Sequence, residues 1–532
     1  MLLYSYSLSI YSVKLLNTCK IMYQHIPAIG IDLGTTFSAI SHVDEMGRPV
    51  TLINAEGDRI TPSVALFEHG VAVVGKEALK ALSTDASSIA LCAKRDMGHK
   101  VFHQVLGDKQ YPPEVIEAFI LNKLRVDAGF QIGPFTKVVI TVPAYFDEVR
   151  RKATQDAGYM AGFEVLDIIN EPTAAAIAFG YQTGVLGQNT AQENILVYDL
   201  GGGTFDVTIM QVRGNEYITL ATDGDVQLGG FDWDHRLVNF VADKFVADFY
   251  ADPREDPCAR GKLWRECEDA KRTLSARMKA SVTCDFKGFS KRVEISREEF
   301  TQITQDLLDR TRFTTVQTLR ASGLDWGDIS RVLLVGGSSR MPMVREMLAQ
   351  VTGRDPDASA AADEAVALGA ALHAQHILSV SQGNAPAFTI QNVNSHSLGV
   401  IGKDPATGLA RVGVLIPRNT QLPAKVRRAF RTQKANQNSI LVQIVEGESI
   451  SPDNCTFIGS CTVRDLPQGL PAGTQVVVTF KYEADGRLHV SVKVPSTHAA
   501  VTQEFTHENN LPKQLLDGWR QYISGAVPTD YQ

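Results

Sequence analysis

The chain has 532 residues, 44% hydrophobic and 21% charged, with 52 Lys and Arg against 59 Asp and Glu and a formal net charge of −7. At about 150 residues per domain this length gives three or four domain-sized units of ordinary soluble composition, which excludes disorder along most of the chain. A mildly acidic chain lacks the basic face of a nucleic-acid binder, and no apolar run reaches the ~18–20 residues that cross a bilayer, so neither nucleic acid nor membrane is an expected partner.

Residues 1–23, MLLYSYSLSIYSVKLLNTCKIMY, are apolar, rich in Ser and Tyr, and unlike the rest of the chain. A secretory signal runs from a basic stretch to an apolar one and then to small residues at the cut. Here Lys14 and Lys20 come after the apolar part, which is the wrong order. Two readings stand: a disordered extension, or a mis-assigned start with translation beginning at Met22, the second being preferred. The seven cysteines are scattered and form no C-x-x-C pair, so neither a zinc site nor a redox motif is signalled. Only Cys455 and Cys461 lie close together late in the chain. Free thiols in a reduced cytoplasm are the simpler expectation.

From Ile26 short β-branched runs end in glycine turns and alternate with helical stretches, the pattern of buried strands in α/β layers. Ile195 to Val212 differs: two strands joined directly by Gly-Gly-Gly read as a hairpin. The α/β pattern persists to about His376. A polar stretch with Pro and Gly, SVSQGNAPAF, then reads as a linker. Beyond it NSILVQIVEGES, TQVVVTFKYEA and GRLHVSVKVP alternate with period two, which predicts an antiparallel β-sandwich. The last segment, LPKQLLDGWRQYI, is either one short amphipathic helix or a frayed tail.

Asp32-Leu-Gly-Thr-Thr-Phe follows the strand AIGI, and Asp199-Leu-Gly-Gly-Gly-Thr-Phe-Asp206 follows ILVY. Glycines at a strand turn let backbone N–H groups approach phosphate oxygens, threonine hydroxyls add donors, and an aspartate at each strand end can hold magnesium through its water shell. One such turn is weak evidence. Two copies suggest a nucleotide held between two related lobes. A third turn, Gly336-Gly337-Ser338-Ser339-Arg340, permits close approach to a flat ring such as adenine. Neither the Walker nor the Rossmann glycine pattern occurs at these turns. Glu268, Lys271, Arg272 and Ser275 fall at i, i+3, i+4 and i+7 and share one helix face. That face is either solvated or grips a ribose and base.

The segments IDLGTTFSAI, VITVPAYF, IINEPTAAAIAFGY, VYDLGGGTFDV, GDVQLGGFDWD, CEDAKRTLS, LLVGGSSRMP and DEAVALGAA resemble, in order, the signature segments of the heat-shock-70 (DnaK-type) chaperone ATPases. The resemblance implies an α/β, actin-like (ribonuclease H-like) two-lobed ATPase domain over residues 24–378. It implies a linker at 379–395, an antiparallel β-sandwich that binds peptides at 396–506, and a short helix or tail at 507–532. It implies a cytoplasmic chaperone that hydrolyses ATP to ADP with Mg2+ and K+ and binds apolar segments of unfolded clients. A J-domain co-chaperone and a nucleotide exchange factor are its implied partners. Two other readings remain, an actin-fold small-molecule kinase and an ATP-switched interaction module without folding activity.

Residue by residue, the resemblance assigns Asp32, Gly34, Thr35, Thr36 and Phe37 to the first phosphate turn. It assigns Asp199, Gly201, Gly202, Gly203, Thr204 and Asp206 to the second. Asp32, Asp199 and Asp206 would orient cations, Lys94 would lie against the γ-phosphate, and Glu171 would stand near metal and attacking water. Lys94, Glu171, Asp199 and Thr204 thus form the implied catalytic set. Gly229 and Gly230 match the turn beside the phosphates. Glu268, Lys271, Arg272 and Ser275 match the adenosine helix, and Gly336, Gly337, Ser338, Arg340 and Asp363 the adenine side. Pro143 and Arg151 match coupling residues, and Ile440 and Val442 match peptide-cleft positions, where core strand residues would alternate in the same way.

Three departures stand out. The linker NAPAFTIQNV has no acid and no leucine, which puts coupling strength in question. Asp167 stands where bacterial relatives typically carry an arginine that meets the J-domain, so an acidic partner loop should be repelled. The chain is also too short at its C-terminus for the family's helical lid, so rapid peptide exchange is expected.

Overall fold

The computed structural model describes residues 27–68, 71–184, 192–357, 363–404, 406–483, 487–497, 499–505 and 511–525. The extension expected at residues 1–23 lies outside them. The chain begins its first lobe with β1 (Ile29–Asp32) and β2 (Phe37–Val43), an antiparallel hairpin continued by β3 (Pro49–Thr51) and flanked by β4 (Thr61–Pro62). A small side sheet of β5 (Val64–Glu68), β6 (Val71–Val74) and β7 (Ile89–Leu91) carries α1 (Lys76–Ala81). Then come α2 (Pro113–Ile132), β8 (Lys137–Val142), α3 (Glu148–Met160), β9 (Glu164–Asn170) and α4 (Glu171–Gln182). β8 lies parallel to β1, and β9 parallel to β8, giving the order β3-β2-β1-β8-β9.

The second lobe repeats the plan. β10 (Glu193–Leu200) and β11 (Phe205–Arg213) form the hairpin expected from the triple glycine, and β12 (Glu216–Asp225) extends it. There follow α5 (Gly230–Phe249), α6 (Pro257–Ala276), the hairpin β13 (Lys279–Phe286) and β14 (Phe289–Ser296), α7 (Arg297–Ile303) and α8 (Gln305–Ser322). β15 (Arg331–Val335) then lies parallel to β10, as β8 does to β1. α9 (Pro342–Thr352) and α10 (Ala365–Ser381) close the unit. A hairpin with a parallel third strand beside its first strand therefore occurs once per lobe.

Alanine and glycine set how closely the lobes approach. α4 (EPTAAAIAFGYQ) and α10 (AVALGAALHAQHILSVS) are rich in small residues and pack on one another, and α10 packs on β1. A Cβ on Gly369 would lie 1.8 Å from the Ala174 carbonyl oxygen. Only glycine lets the backbones approach that far.

α10 runs five residues past His376, and the expected linker does not stay free. Its residues Thr389–Gln391 form β16, added parallel to the edge strand β12, and Phe388 beside it is buried. The next unit is a sandwich of two four-stranded antiparallel sheets. One runs β18 (Ala410–Ile416), β17 (Leu398–Lys403), β20 (Ile440–Glu446), β21 (Thr456–Val463). The other runs β19 (Ala424–Arg431), β22 (Gln475–Tyr482), β23 (Leu488–Val494), β24 (Ala499–Phe505). Alternate residues such as Ile444, Val478, Phe480, Val490 and Val492 fill the space between them.

The final segment forms α11 (Lys513–Ile523), and it docks on the first lobe. Leu516 and Ile523 join the core of that lobe, and Trp519 and Tyr522 lie beside Tyr111 and Phe119. The Tyr159 hydroxyl bonds Asp517, and the Arg520 guanidinium sits 4.6 Å from the Tyr159 ring centroid. Across the described residues no helix is long and apolar enough to cross a membrane.

Gly369→Ala is expected to cost about 3 kcal/mol or more, because backbone must move to admit the methyl group. Gly129→Ala, inside α2 with open space at its Cβ position, is expected to gain about 0.5–1 kcal/mol. Urea unfolding of both variants checks the pair; equal midpoints would contradict the close approach of α4 and α10.

Candidate functional site

The two strand turns meet face to face. A Cβ on Gly202 would lie 2.2 Å from Thr36 Oγ1, and one on Gly203 would lie 2.3 Å from Thr35 Cγ2. The N-terminus of α5 is tied to the second turn, since Gly230 N–H donates to the Gly201 carbonyl (3.0 Å) and Phe231 N–H to the Gly202 carbonyl (2.7 Å). The third turn presses on the same point, with Gly336 at φ +80°, a backbone region that side chains disfavour.

A cavity of about 330 Å³ opens between the lobes at this junction. From the first lobe it is lined by Asp32, the turn Gly34 to Phe37, Lys94 and Glu171. The second lobe contributes Asp199, Gly201, Gly202 and Thr204, the α6 residues Glu268, Lys271, Arg272 and Ser275, and Gly336, Gly337, Ser338, Arg340 and Asp363. Residues far apart in the sequence thus share one wall. Gly203, Gly229, Gly230 and Asp206 stand behind it. Ile60, Phe231, Asp234, Met341 and Val366 also line the cavity, and sequence reading missed them. Phe231 and Asp234 fall in the segment GDVQLGGFDWD, Met341 in LLVGGSSRMP and Val366 in DEAVALGAA, so of the five Ile60 carried no signal.

α6 is started by Asp256, whose side chain accepts from Ala259 N–H, with Pro257 at the first helical position. The helix then aims its polar face at the cavity. Arg272 donates to Glu268 (2.6 Å), and its guanidinium lies 5.3 Å from the Phe37 ring centroid on the opposite lobe. Lys271 Nζ donates to Asp234 (2.8 Å) and to the Gly230 carbonyl (3.0 Å). Arg340 donates to Asp363 (2.6 Å).

The phosphate end is short of positive charge. Lys94, in a short turn at Ala93–Asp96, is 2% exposed, and its Nζ lies 2.6 Å from Glu171 Oε1. Burial pulls this ammonium down, but Glu171 and Asp32 outweigh it and hold its pKa above the usual range. Burial, then the charge of Glu171, raises Asp32 to about 7 and Asp206 to about 8. The same two causes lift Asp199 far above the ordinary carboxylate range. Glu117 of α2 is another buried acid, raised to about 8 by burial, with neither carboxyl oxygen hydrogen-bonded. Nothing in the sequence flagged it, since it occurs in an apolar helix without a motif.

Such a set of acids around one lysine fits a cation. Among the described residues no three His, Cys, Asp or Glu side chains converge as a metal-ligand cluster. Magnesium, a small and strongly hydrated ion, keeps several waters and takes one or two carboxylates beside phosphate oxygens, which the acids here could offer. The paired turns fit phosphate because their glycines carry no side chain, so that backbone and threonine side chains line the cavity.

The coupling candidates lie at the boundary with the sandwich. After Pro143, the N–H groups of Ala144 and Tyr145 both donate to the Asp206 carboxylate (3.2 Å each). The Tyr145 carbonyl accepts from His396 Nε2 (3.0 Å), and the Phe146 carbonyl from the Ser395 hydroxyl (3.3 Å). Arg151 bonds Asn170 and the Phe146 carbonyl (3.3 Å), and the Tyr482 hydroxyl donates to Glu148 (2.6 Å). Asp167, 43% exposed in its side chain, is 2.8 Å from His373 Nε2. It lines a second cavity of about 760 Å³ between β9, α10, β16 and the sandwich. Ile440 and Val442 are buried in the sandwich core, while Leu441 between them is 58% exposed.

Comparison with known proteins gives one consistent result. The family model described as "Hsp70 protein" matches residues 28–519. A "Chaperone protein DnaK" of Halobacterium salinarum is 39% identical over 512 residues, covering 95% of this chain and 79% of that protein. Proteins with the same description from Metamycoplasma hominis and Thermus thermophilus are each 37% identical, over 501 and 513 residues. These cover 92% and 90% of this chain, and 81% and 80% of theirs.

The buried acids imply a pH dependence. Asp32 and Asp206 keep protons in the folded state that the unfolded chain releases near pH 4, so the nucleotide-free protein loses stability as pH rises from about 4 and levels off above about 7 to 8. Its urea midpoint is expected to be lower at pH 8 than at pH 6, and saturating magnesium and nucleotide to flatten the difference. A nucleotide-free midpoint that rises over this interval would refute the charge deficit.

Proposed function

This chain belongs to the Hsp70 family and is an ATP-dependent chaperone of that type, an ATP hydrolase acting on unfolded client proteins, and we propose how its residues divide that work. Residues 24–378 act as the nucleotide-binding unit, 379–395 as the link and 396–506 as the peptide-binding unit. ATP occupies the 330 Å³ cavity, and the observation that carries this is the meeting of both glycine-threonine turns, one lysine and a surplus of acids in one wall. The turns cradle the phosphates. The α6 face and the Gly336–Arg340 turn hold ribose and adenine.

Phosphoryl transfer to water is mostly positioning and charge neutralisation. Bound magnesium and K+ would supply counter-charge to the phosphates, and Asp32, Asp199 and Asp206 would hold these cations. Lys94 neutralises charge on the transferred phosphoryl group. Glu171 holds Lys94 in place, at the start of α4 where the helix favours an anion. Asp199 and Thr204 orient the attacking water.

The loop after Pro143 couples the units, because its N–H groups hold Asp206 while its carbonyls hold His396 and Ser395. β16 strengthens this link through backbone bonds, which need neither the acid nor the leucines absent from the linker. Client contact at Ile440 and Val442 requires the sandwich to open, since both side chains are core residues in this arrangement. A J-domain partner of altered charge faces Asp167, and an exchange factor completes the cycle. The cytoplasm is its place of work, as the family likeness implies.

Lys94→Ala is expected to keep ATP affinity within about threefold and to slow single-turnover hydrolysis by about 100- to 1,000-fold. Unchanged hydrolysis would sink the assignment. Suppression of aggregation of a denatured model client, lost in the same variant, tests whether hydrolysis drives the chaperone work.

A further inference from the structure

Charge is unevenly divided along the chain. Residues 396–506 hold twelve Lys and Arg against eight Asp and Glu, a net of +4, so the remainder carries −11. Much of the excess falls in one place. Residues 425–434, KVRRAFRTQK, include five cations and no acid.

β19 alternates about the sheet plane. Ala424, Val426 and Phe430 pack on the sandwich core, so Lys425, Arg427 and Arg431 stand on the outer face, where they are exposed. Arg428 points the other way, donating to the Val414 carbonyl (2.7 Å). Strand register continues the basic face: Lys425 lies opposite Lys481 of β22, and Ala429 opposite Val477, which is opposite Lys493 of β23. Lys481 pairs with Glu483. Among the described residues Lys425, Arg427, Arg431, Lys434 and Lys493 have no ion-pair partner.

Like charges directly opposite on neighbouring strands destabilise a sheet. Folding gains nothing from Lys425 facing Lys481, so the arrangement points to an external anion. Outward cations two residues apart on a strand repeat at about 6.6–6.8 Å, the spacing of alternate side chains in an extended peptide. The outer face presents no Phe, Tyr or Trp among its described residues, His489 opposite Lys481 being its one ring, and single-stranded nucleic acids rely on successive aromatic side chains for stacking.

We infer that this outer face, from β19 through the 432–439 loop, binds an extended acidic polypeptide segment, the charged flank of a client's apolar stretch. This rests on the chaperone reading: Arg431 leads through that loop directly into β20, where Ile440 and Val442 lie. It gives the client class as apolar segments flanked by Asp or Glu.

The test uses the full chain, with ADP and with ATP. Fluorescent peptides share one leucine-rich core and carry three Glu, three Ser or three Lys residues at one end. At about 0.05 M salt the Glu peptide is expected to bind about tenfold tighter than the Lys peptide, with the Ser peptide between, and the spread to collapse at about 0.5 M salt. The double variant Arg427→Glu, Arg431→Glu should invert the order while its unfolding midpoint and ATP hydrolysis stay unchanged. Equal affinities for all three, an unaltered order in the variant, or displacement of the Glu peptide by an equally charged oligothymidylate as readily as by unlabelled Glu peptide would overturn the proposal. Failure of every peptide to bind would instead refute peptide binding itself, and this proposal with it.

Discussion

One buried lysine among several buried carboxyls sets the terms for the rest of the molecule. Lys94 and Glu171 form the closest contact, at 2.6 Å. Burial, and then the charge of Glu171, pushes up the pKa values of Asp32, Asp199 and Asp206, and Asp199 also feels the charges of the other two. A buried ion pair is seldom a source of stability, because removing two charges from water costs about what their attraction returns. This site is therefore a demand placed on the fold. Two hairpins, a helix start and three glycine turns converge to hold it, and the charge left over is of the sign that a cation would complete.

Backbone joins this site to the sandwich. Over three residues, Ala144 to Phe146, N–H groups point to Asp206 and carbonyls to the sandwich. The contacts to Asp206 and those to His396 and Ser395 are thus at most one peptide apart. β16 adds a second connection of the same kind. It pairs with β12, which pairs with β11, the strand that begins at Phe205 and carries Asp206. Side-chain identity in the linker matters little to such a contact, since main-chain hydrogen bonds are common to all residues but proline.

The chain also returns to its start. After the sandwich, α11 packs into the core of the first lobe through Leu516 and Ile523. The sandwich is consequently attached to the nucleotide-binding unit at both of its ends. Its own outer sheet stays open and basic, an electrostatic character opposite to that of the unit it is joined to.

The features written in the sequence alone are local ones. The β10–β11 hairpin, the glycine-threonine turns, the shared face of Glu268 to Ser275 and the period-two strands were legible because each depends on residues within a few positions of one another. Family resemblance extended this to Lys94 and Glu171, which are 77 residues apart and have no pattern in common. Tertiary structure alone decided the rest. It placed Asp234 against Lys271, buried Glu117 without a partner, and turned Ile440 and Val442 inward. It made a strand of the linker and sent α11 to the first lobe. In each case the outcome depends on which surface a segment meets after folding. Hydrogen bonding and burial between distant segments are properties of that meeting, and neither partner's sequence contains it.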